Sequence, residues 1–138
     1  MAIVGGGPCG LATALALHHA CPGLRVGVFE RAHEFRPIGS VLLASTSALA
    51  TVDKIDRSVA AEMRSFENPV SSRTLYDPQG NVEKYAGSSP MFKGFVLNRW
   101  HRFQGAIARA LPAGTVRLNH AFESYEIAKA RTTRCVRP

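Results

Sequence analysis

Ala2-Ile3-Val4-Gly5-Gly6-Gly7-Pro8-Cys9-Gly10 is the stretch that decides the fold of this chain. Three apolar residues followed at once by glycines are typical of a short buried strand that ends in a tight turn. A helix is expected over Cys9–Ala20, because its leucines recur at helical spacing, and Cys21-Pro22-Gly23 ends it. The apolar run Arg25–Glu30 then predicts a second strand parallel to the first, which completes a βαβ unit.

Each of the three spaced positions requires glycine for a different physical reason. Gly5 makes the tight turn after the strand, Gly7 lets the backbone approach a pyrophosphate, and Gly10 lets the helix lie close to the strand. Pro8 suits the first helical position, where a missing N–H costs little, and the free amides of that turn face an anion. The motif therefore predicts a dinucleotide site at the helix N-terminus.

Glu30 follows Gly10 by 20 residues and ends the second strand, where a carboxylate accepts both ribose hydroxyls of an adenosine. A 2′-phosphate would be repelled by this carboxylate, which argues against NADP as the ligand. The positive charge of the neighbouring Arg31 weakens this repulsion. The spacing alone does not distinguish FAD from NAD.

The remainder of the chain predicts shorter elements around this unit. After a loop over Arg31–Ser40, the expected elements are a helix in one or two pieces over Thr46–Arg64 with Ser45 or Thr46 as its cap, hairpin strands Arg73–Tyr76 and Asn81–Tyr85, a helix capped by Asn98 and running through Leu111, and strands Val116–Leu118 and Phe122–Ile127. The fold class is thus α/β: a Rossmann-like βαβ unit with a parallel sheet plus a small antiparallel hairpin.

The glycine stretch, continued as Leu-Ala-Thr-Ala-Leu-Ala-Leu, and the later run Val28-Phe29-Glu30-Arg31-Ala32 resemble the amino-terminal FAD-binding segment of single-component flavoprotein aromatic hydroxylases and epoxidases. Salicylate hydroxylase-like and zeaxanthin epoxidase-like proteins are examples. The resemblance implies FAD as cofactor and flavin-dependent hydroxylation or epoxidation with NAD(P)H and O₂. In a full-length form it also implies a small aromatic or isoprenoid-like substrate.

Two further segments resemble parts of that family. Arg36–Ser40 is similar to a loop beside the flavin, where the backbone up to about Leu43 lies along the cofactor. Leu97–Leu118 is similar to a helix begun by an Arg that reaches the flavin; Trp100 takes that place and Arg99 lies one position earlier, so either residue is a candidate contact. The candidate cofactor-binding residues are therefore Gly5, Gly7, Pro8, Gly10, Glu30, Arg31, Leu43, Arg99 and Trp100.

The resemblance covers residues 2 to about 127 and indicates an incomplete domain, because the family's later Asp-Gly and Gly-Asp segments and its substrate-covering sheet are not in this sequence. We expect residues 1–128 to be a partial FAD-binding domain and 129–138 a basic tail, either disordered or an artefact of the gene model. No catalytic residue is assigned. Two alternatives stay open: a non-catalytic nucleotide-binding module or subunit, and an NAD-dependent dehydrogenase fragment, which would show regular β-α alternation after Glu30.

Charge and composition exclude several other classes of function. The net charge is +7, but four of the 17 cations fall in the last ten residues and no acid accompanies them, so nucleic-acid binding is not expected. The uncharged stretch Pro37–Val52 is too short and too polar to span a membrane, and no signal peptide is recognised, which makes the cytoplasm the default location. Three cysteines without a C-x-x-C spacing and scattered histidines predict no metal site.

Overall fold

The computed structural model describes residues 1–37, 39, 41–65, 68–69, 72–86 and 96–126. In chain order the elements are β1 (Ala2–Val4), α1 (Pro8–Ala20), β2 (Gly27–Phe29), β3 (Val41–Ala44), α2 (Thr46–Ile55), α3 (Arg57–Ser65), β4 (Asn68–Pro69), β5 (Ser72–Tyr76), β6 (Val82–Ala86), β7 (Val96–Arg99), α4 (Trp100–Ala110) and β8 (Val116–Arg117).

The βαβ unit predicted from the glycine stretch is confirmed. β1 pairs with β2 in parallel, with Val4 opposite Phe29, and β2 pairs in parallel with β8, so the strand order is β1-β2-β8. β1 therefore lies at one edge of this parallel sheet. Its last residue leads directly into the glycine turn, as the motif requires.

The core lies between the parallel sheet and the helices. Leu11 and Leu15 of α1 are fully or almost fully buried, together with Val28 of β2 and Ile107 of α4. On the opposite face of the sheet, Val4 is 58% exposed. Parallel sheets are normally covered on both faces, whereas the described helices pack on one face of this sheet.

A second, antiparallel sheet joins β3, β7 and β4 in that order, and β5 and β6 form a separate two-stranded hairpin. The hairpin confirms the prediction, and Asp77 organises its turn by accepting hydrogen bonds from the N–H groups of Gln79 and Asn81 at 3.0 and 2.7 Å. The β3-β7-β4 sheet was not predicted.

The prediction that Asn98 caps a helix is wrong. Asn98 lies inside β7 opposite Leu42, and its side chain is buried, with neither polar atom hydrogen bonded to any described residue. α4 instead begins one residue after Arg99, which occupies the N-cap position without a capping side-chain hydrogen bond. The pairing of β7 with two other strands prevails over the local capping preference of Asn.

The helical region after β3 forms as two pieces. Ser45 is the cap of α2, because its hydroxyl accepts a hydrogen bond from the Ala48 N–H at 3.1 Å. Asp56 interrupts the helix and accepts hydrogen bonds from the N–H groups of Ser58 and Val59 at the start of α3. Both pieces agree with the prediction.

Two other expectations have different outcomes. The predicted strand over Phe122–Ile127 is wrong for residues 122–126, which form no strand, and Ile127 lies outside the described residues, as does the tail 129–138. After Glu30 the described elements do not alternate between strand and helix as in a dehydrogenase domain, which argues against the dehydrogenase alternative.

No helix in the described ranges is long and apolar enough to cross a membrane.

Candidate nucleotide-binding site

The glycine turn is fixed to the end of β2. Gly5 has a φ of +98°, which favours glycine, and its N–H donates to the Phe29 carbonyl at 2.8 Å. The next N–H, that of Gly6, donates to Oε2 of Glu30 at 2.6 Å. The turn after β1 and the acid after β2 are therefore held together.

Gly7 and Gly10 differ in what surrounds them. A Cβ on Gly10 would lie 2.1 Å from the Gly5 carbonyl oxygen, so only glycine lets α1 pass over the turn. A Cβ on Gly7 would meet nothing within 4 Å. The protein itself leaves the space above Gly7 open, whereas the packing of the fold fills the space above Gly10.

The N-terminus of α1 is prepared for an anion. Gly7 is its N-cap residue and provides no side-chain hydrogen bond, Pro8 occupies the first turn, and that turn contains no acidic residue. Backbone N–H groups at a helix start lack intrahelical acceptors, and the helix dipole adds positive potential there. Gly7, where an added Cβ meets nothing within 4 Å, is itself the N-cap residue of this helix.

The Glu30 carboxylate is held by backbone groups on both oxygens. The Ala32 N–H donates to Oε1 at 2.9 Å, and the Gly6 N–H donates to Oε2. Together with the nearby Arg31 charge, these hydrogen bonds lower the pKa of Glu30 below its usual value. The carboxylate is therefore ionised at neutral pH, and each oxygen keeps a lone pair for a ligand hydroxyl.

A cavity of about 370 Å³ adjoins this carboxylate. Its lining includes Gly5 and Glu30 from the predicted site, Arg31 beside them, and two residues that the sequence did not single out, His120 and Phe122. The structure thus brings these five residues around one space of suitable size for part of a nucleotide.

The remaining predicted residues form a second group around α4. Trp100 lies against the positive-φ turn at Gly39, where an added Cβ would be 3.4 Å from the Trp100 Cβ. Leu43 and Arg99 lie on the exposed face of the β3–β7 pair, and Leu43 and Trp100 are 43% and 40% exposed. Both predicted alternatives, Arg99 and Trp100, are thus accessible to a ligand.

Gln104 connects the two groups. Its side-chain Nε2 donates to the Gly6 carbonyl at 2.7 Å, so α4 supports the glycine turn directly. Sequence reasoning missed this residue, because no local pattern relates a mid-helix glutamine to a turn 98 residues earlier. In the described part of the chain, no cluster of three or more His, Cys, Asp or Glu side chains is arranged to hold a metal ion.

The described residues form an α/β domain whose glycine turn and Glu30 lie together at the carboxyl ends of β1 and β2. Among curated proteins, the chain is 28% identical to the FAD-dependent monooxygenase azaH of Aspergillus niger, over 91% of this chain and 32% of that protein. A second relative, the FAD-dependent monooxygenase orf3 from another Aspergillus niger strain, is also 28% identical over 91% of this chain and 30% of its own length. The chain therefore spans about a third of these relatives.

Solved structures that resemble this fold include monooxygenases. The flavin-dependent monooxygenase PieE, determined with FAD and substrate, matches with a TM-score of 0.75 and 20% identity over 93% of this chain and 25% of its own. The p-nitrophenol 4-monooxygenase PnpA of Pseudomonas putida matches with a TM-score of 0.65 and 22% identity over 86% and 31%. No protein-family model matches the chain.

The comparisons confirm the resemblance that the sequence indicated. The chain is similar in sequence to FAD-dependent monooxygenases and similar in fold to flavin monooxygenases, over about a third of their length.

Proposed function

We propose that this chain is the FAD-binding part of a monooxygenase-like oxidoreductase, and that its glycine turn and Glu30 hold the ADP half of FAD. The contrast between Gly7 and Gly10 carries the proposal. Packing explains the glycine at Gly10, but no atom of the described residues lies within 4 Å of a Cβ added at Gly7. A pyrophosphate lying against the backbone is the ligand that such a position favours.

Each residue has a defined task in this proposal. The amides of the first turn of α1, which begins at Pro8, bind the pyrophosphate, and Glu30 accepts the ribose hydroxyls with Arg31 beside it. Leu43 and either Arg99 or Trp100 contact the flavin half. The flavin, when bound, supplies the redox chemistry of hydroxylation or epoxidation, and the described residues bind and orient it.

The activity of the longer relatives cannot be assigned to this chain alone. It spans about a third of its curated relatives, so NAD(P)H and a small aromatic or isoprenoid-like substrate are proposed only for a full-length form. We propose residues 1–128 as a partial FAD-binding domain that holds FAD weakly. Purified chain should therefore show no flavin absorption band and no NAD(P)H oxidation, and finding both would contradict this part.

A titration with ADP, followed by amide NMR signals, tests the site. ADP is expected to shift the signals of Gly5–Leu11 and of Glu30. Gly7→Ala should weaken ADP binding at least about tenfold, because a methyl group enters the space of the pyrophosphate. The thermal midpoint should change little, because that methyl group touches no protein atom.

Gly23→Ala is the matched control, since a Cβ there also meets nothing within 4 Å and the residue follows the C-terminal end of α1. It should leave ADP binding intact. Absence of any ADP-dependent shift at millimolar ligand, or equal binding by Gly7→Ala and the wild type, would refute the proposed site.

A non-catalytic nucleotide-binding module is the second candidate. It is favoured because the glycine turn and Glu30 are both present and in contact, whereas the chain corresponds to only a third of the monooxygenases it resembles. The two candidates differ in ligand preference. Contacts from Leu43, Arg99 or Trp100 to the flavin half should make FAD bind more tightly than ADP, whereas a simple ADP module should bind both equally.

A further inference from the structure

Gly6 is held at both of its backbone polar groups, from two different parts of the fold. Its N–H donates to Oε2 of Glu30 at 2.6 Å, and its carbonyl accepts a hydrogen bond from Nε2 of Gln104 at 2.7 Å. The first contact comes from the residue that follows β2, and the second comes from α4. The peptide that links Gly6 to Gly7 is thus held through its carbonyl by a side chain of α4.

The helix that carries Gln104 is fixed in the core. Phe103, Ala106 and Ile107 of α4 are buried, and α4 packs against α1, whose first turn follows Gly7. A shift of α4 relative to α1 would expose these apolar side chains to water, which is unfavourable. The backbone of Gln104 is therefore a stable base for the contact with Gly6.

The contact with Gln104 sets the direction of the Gly7 N–H. In a trans peptide the C=O and the N–H point in opposite directions, and no cis peptide occurs in the described ranges. A donor on the Gly6 carbonyl therefore directs the Gly7 N–H away from Gln104. This N–H has no acceptor among the described residues, and a Cβ added at Gly7 meets nothing within 4 Å.

Glycines on both sides of this peptide allow it to rotate when the contact is absent. Gly6 and Gly7 carry no Cβ, so each tolerates either sign of φ at little cost. A rotated peptide would present the Gly6 carbonyl oxygen, instead of the Gly7 N–H, to a bound anion. The anion would then meet a partial negative charge where it needs a donor.

We propose that Gln104 is a positioning residue: its side-chain amide fixes the Gly6–Gly7 peptide so that the Gly7 N–H donates to the pyrophosphate. This inference rests on the proposed function, because it needs a pyrophosphate at Gly7. It also divides the ligand into two parts. The affinity for the diphosphate depends on Gln104, whereas the affinity for the nucleoside, whose ribose lies at Glu30, does not.

The experiment compares ADP with adenosine, which lacks the pyrophosphate, by amide NMR titration of the whole chain. Gln104→Met has a side chain of similar length but no donor. It should weaken ADP binding roughly tenfold, as expected for one hydrogen bond to a charged group, and reduce the ADP-induced shift of the Gly7 signal. Adenosine binding should not change, because Glu30 keeps its hydrogen bonds from the Ala32 and Gly6 N–H groups.

Gln104→Glu is the second variant, because it keeps the shape of the side chain while its ionised carboxylate accepts but does not donate. It should show at least the same loss of ADP affinity. Gln79→Met is the matched control, since it makes the same substitution at an exposed residue in the turn of the β5–β6 hairpin. It should bind both ligands as the wild type does.

Thermal melts of the same variants separate positioning from folding. Loss of ADP and adenosine binding by the same factor, or a large drop in the thermal midpoint of both Gln104 variants, would show that Gln104 only stabilises the fold. Unchanged ADP binding in Gln104→Met would also overturn the positioning role while leaving the proposed function intact. If the wild type does not bind ADP at all, the proposed function fails and the role of Gln104 fails with it.

Discussion

Gly10 lies where α1 passes over the turn made by Gly5, and a side chain there collides with backbone. The Gly5 carbonyl oxygen would be 2.1 Å from the new Cβ of Gly10→Ala, and backbone cannot move aside as a flexible side chain can. We expect Gly10→Ala to lower the free energy of unfolding by about 1–3 kcal/mol, the usual range for overpacking. Urea denaturation measures this loss.

Gly23→Ala again provides the comparison, because its Cβ would meet no atom within 4 Å. Its effect should stay within about 0.5 kcal/mol. An equal loss in both variants would mean that a general cost of replacing glycine, and not the contact with Gly5, determines the effect.

Glu30 contributes to stability in a way that depends on pH. Hydrogen bonds from Ala32 and Gly6 lower its pKa in the folded protein. A carboxyl group with a lowered folded pKa stabilises fully above its unfolded pKa, and this stabilisation is lost as the pH falls through the folded value. Glu30→Gln should therefore destabilise the protein at pH 7 and have a smaller effect at about pH 3.

Thermal melts of the wild type and Glu30→Gln across this range provide the measurement. Glu34→Gln is a suitable control, because Glu34 is an exposed residue whose recorded partner is His33. A difference between wild type and Glu30→Gln that does not shrink on acidification would show that the charge of Glu30 is not what the two amides stabilise.

At the scale of elements, Asp56 separates α2 from α3 and joins α3 to α1. Its Oδ1 accepts from the Ser58 N–H and hydroxyl and from the Val59 N–H, and its Oδ2 lies 3.0 Å from Nε2 of His19. The hydrogen bonds from Ser58 and Val59, with a smaller contribution from His19, lower the pKa of Asp56 to about 2. α3 therefore begins on an ionised carboxylate at all ordinary pH values.

Asp56→Ala should reduce the free energy of unfolding by about 0.5–2 kcal/mol at pH 7, as is usual for loss of a helix cap. Because the folded pKa is depressed, the difference from the wild type should persist down to about pH 4 and shrink toward pH 2. Asp53→Ala removes only a partly exposed ion pair with Arg64 and should cost less than about 1 kcal/mol. Similar losses in both variants would contradict a capping role.

The elements that the sequence predicted correctly are those whose signals are local. α1 has leucine spacing and glycines at both ends, and the hairpin around Gly80 has a turn sequence between its strands. β3 and β7 pair through residues as distant as Val41 and Arg99, and no local pattern encodes that partnership. Asn98 was misassigned for the same reason, because its capping preference is local and its strand partners are not.

The residues of the site likewise fall into those that the sequence predicted and those that it did not. Gly5, Gly7, Gly10 and Glu30 follow from a motif with fixed spacing, and the structure brings the turn and the acid into direct contact. Gln104 and His120 join them only through the folding of the chain, since each comes from an element far along the sequence. A spacing rule cannot find such residues.

For the whole molecule, the charge is unevenly distributed along the chain. Truncation after Ala128 removes Lys129, Arg131, Arg134 and Arg137 and no acid, so the net charge falls from +7 to +3. Any binding to duplex DNA should be weak and salt-dependent in the full chain and lost in the truncated one, because it depends on these cations. Fluorescence anisotropy with a labelled duplex measures this.

ADP titration of the same truncated protein is the control, and its affinity should not change, because all proposed contacts to ADP precede residue 128. DNA binding that survives the truncation would place a nucleic-acid surface on the folded part, contrary to the expectation from charge.

The hydrogen bond from Gln104 to Gly6 has a consequence for synthesis on the ribosome. The glycine turn leaves the ribosome 98 residues before its partner. A nascent chain stalled before α4 would carry the complete glycine motif without the support that Gln104 gives it. Acquisition of the nucleotide should therefore wait until α4 has emerged, and arrested chains ending before and after α4 would differ in whether they retain ADP.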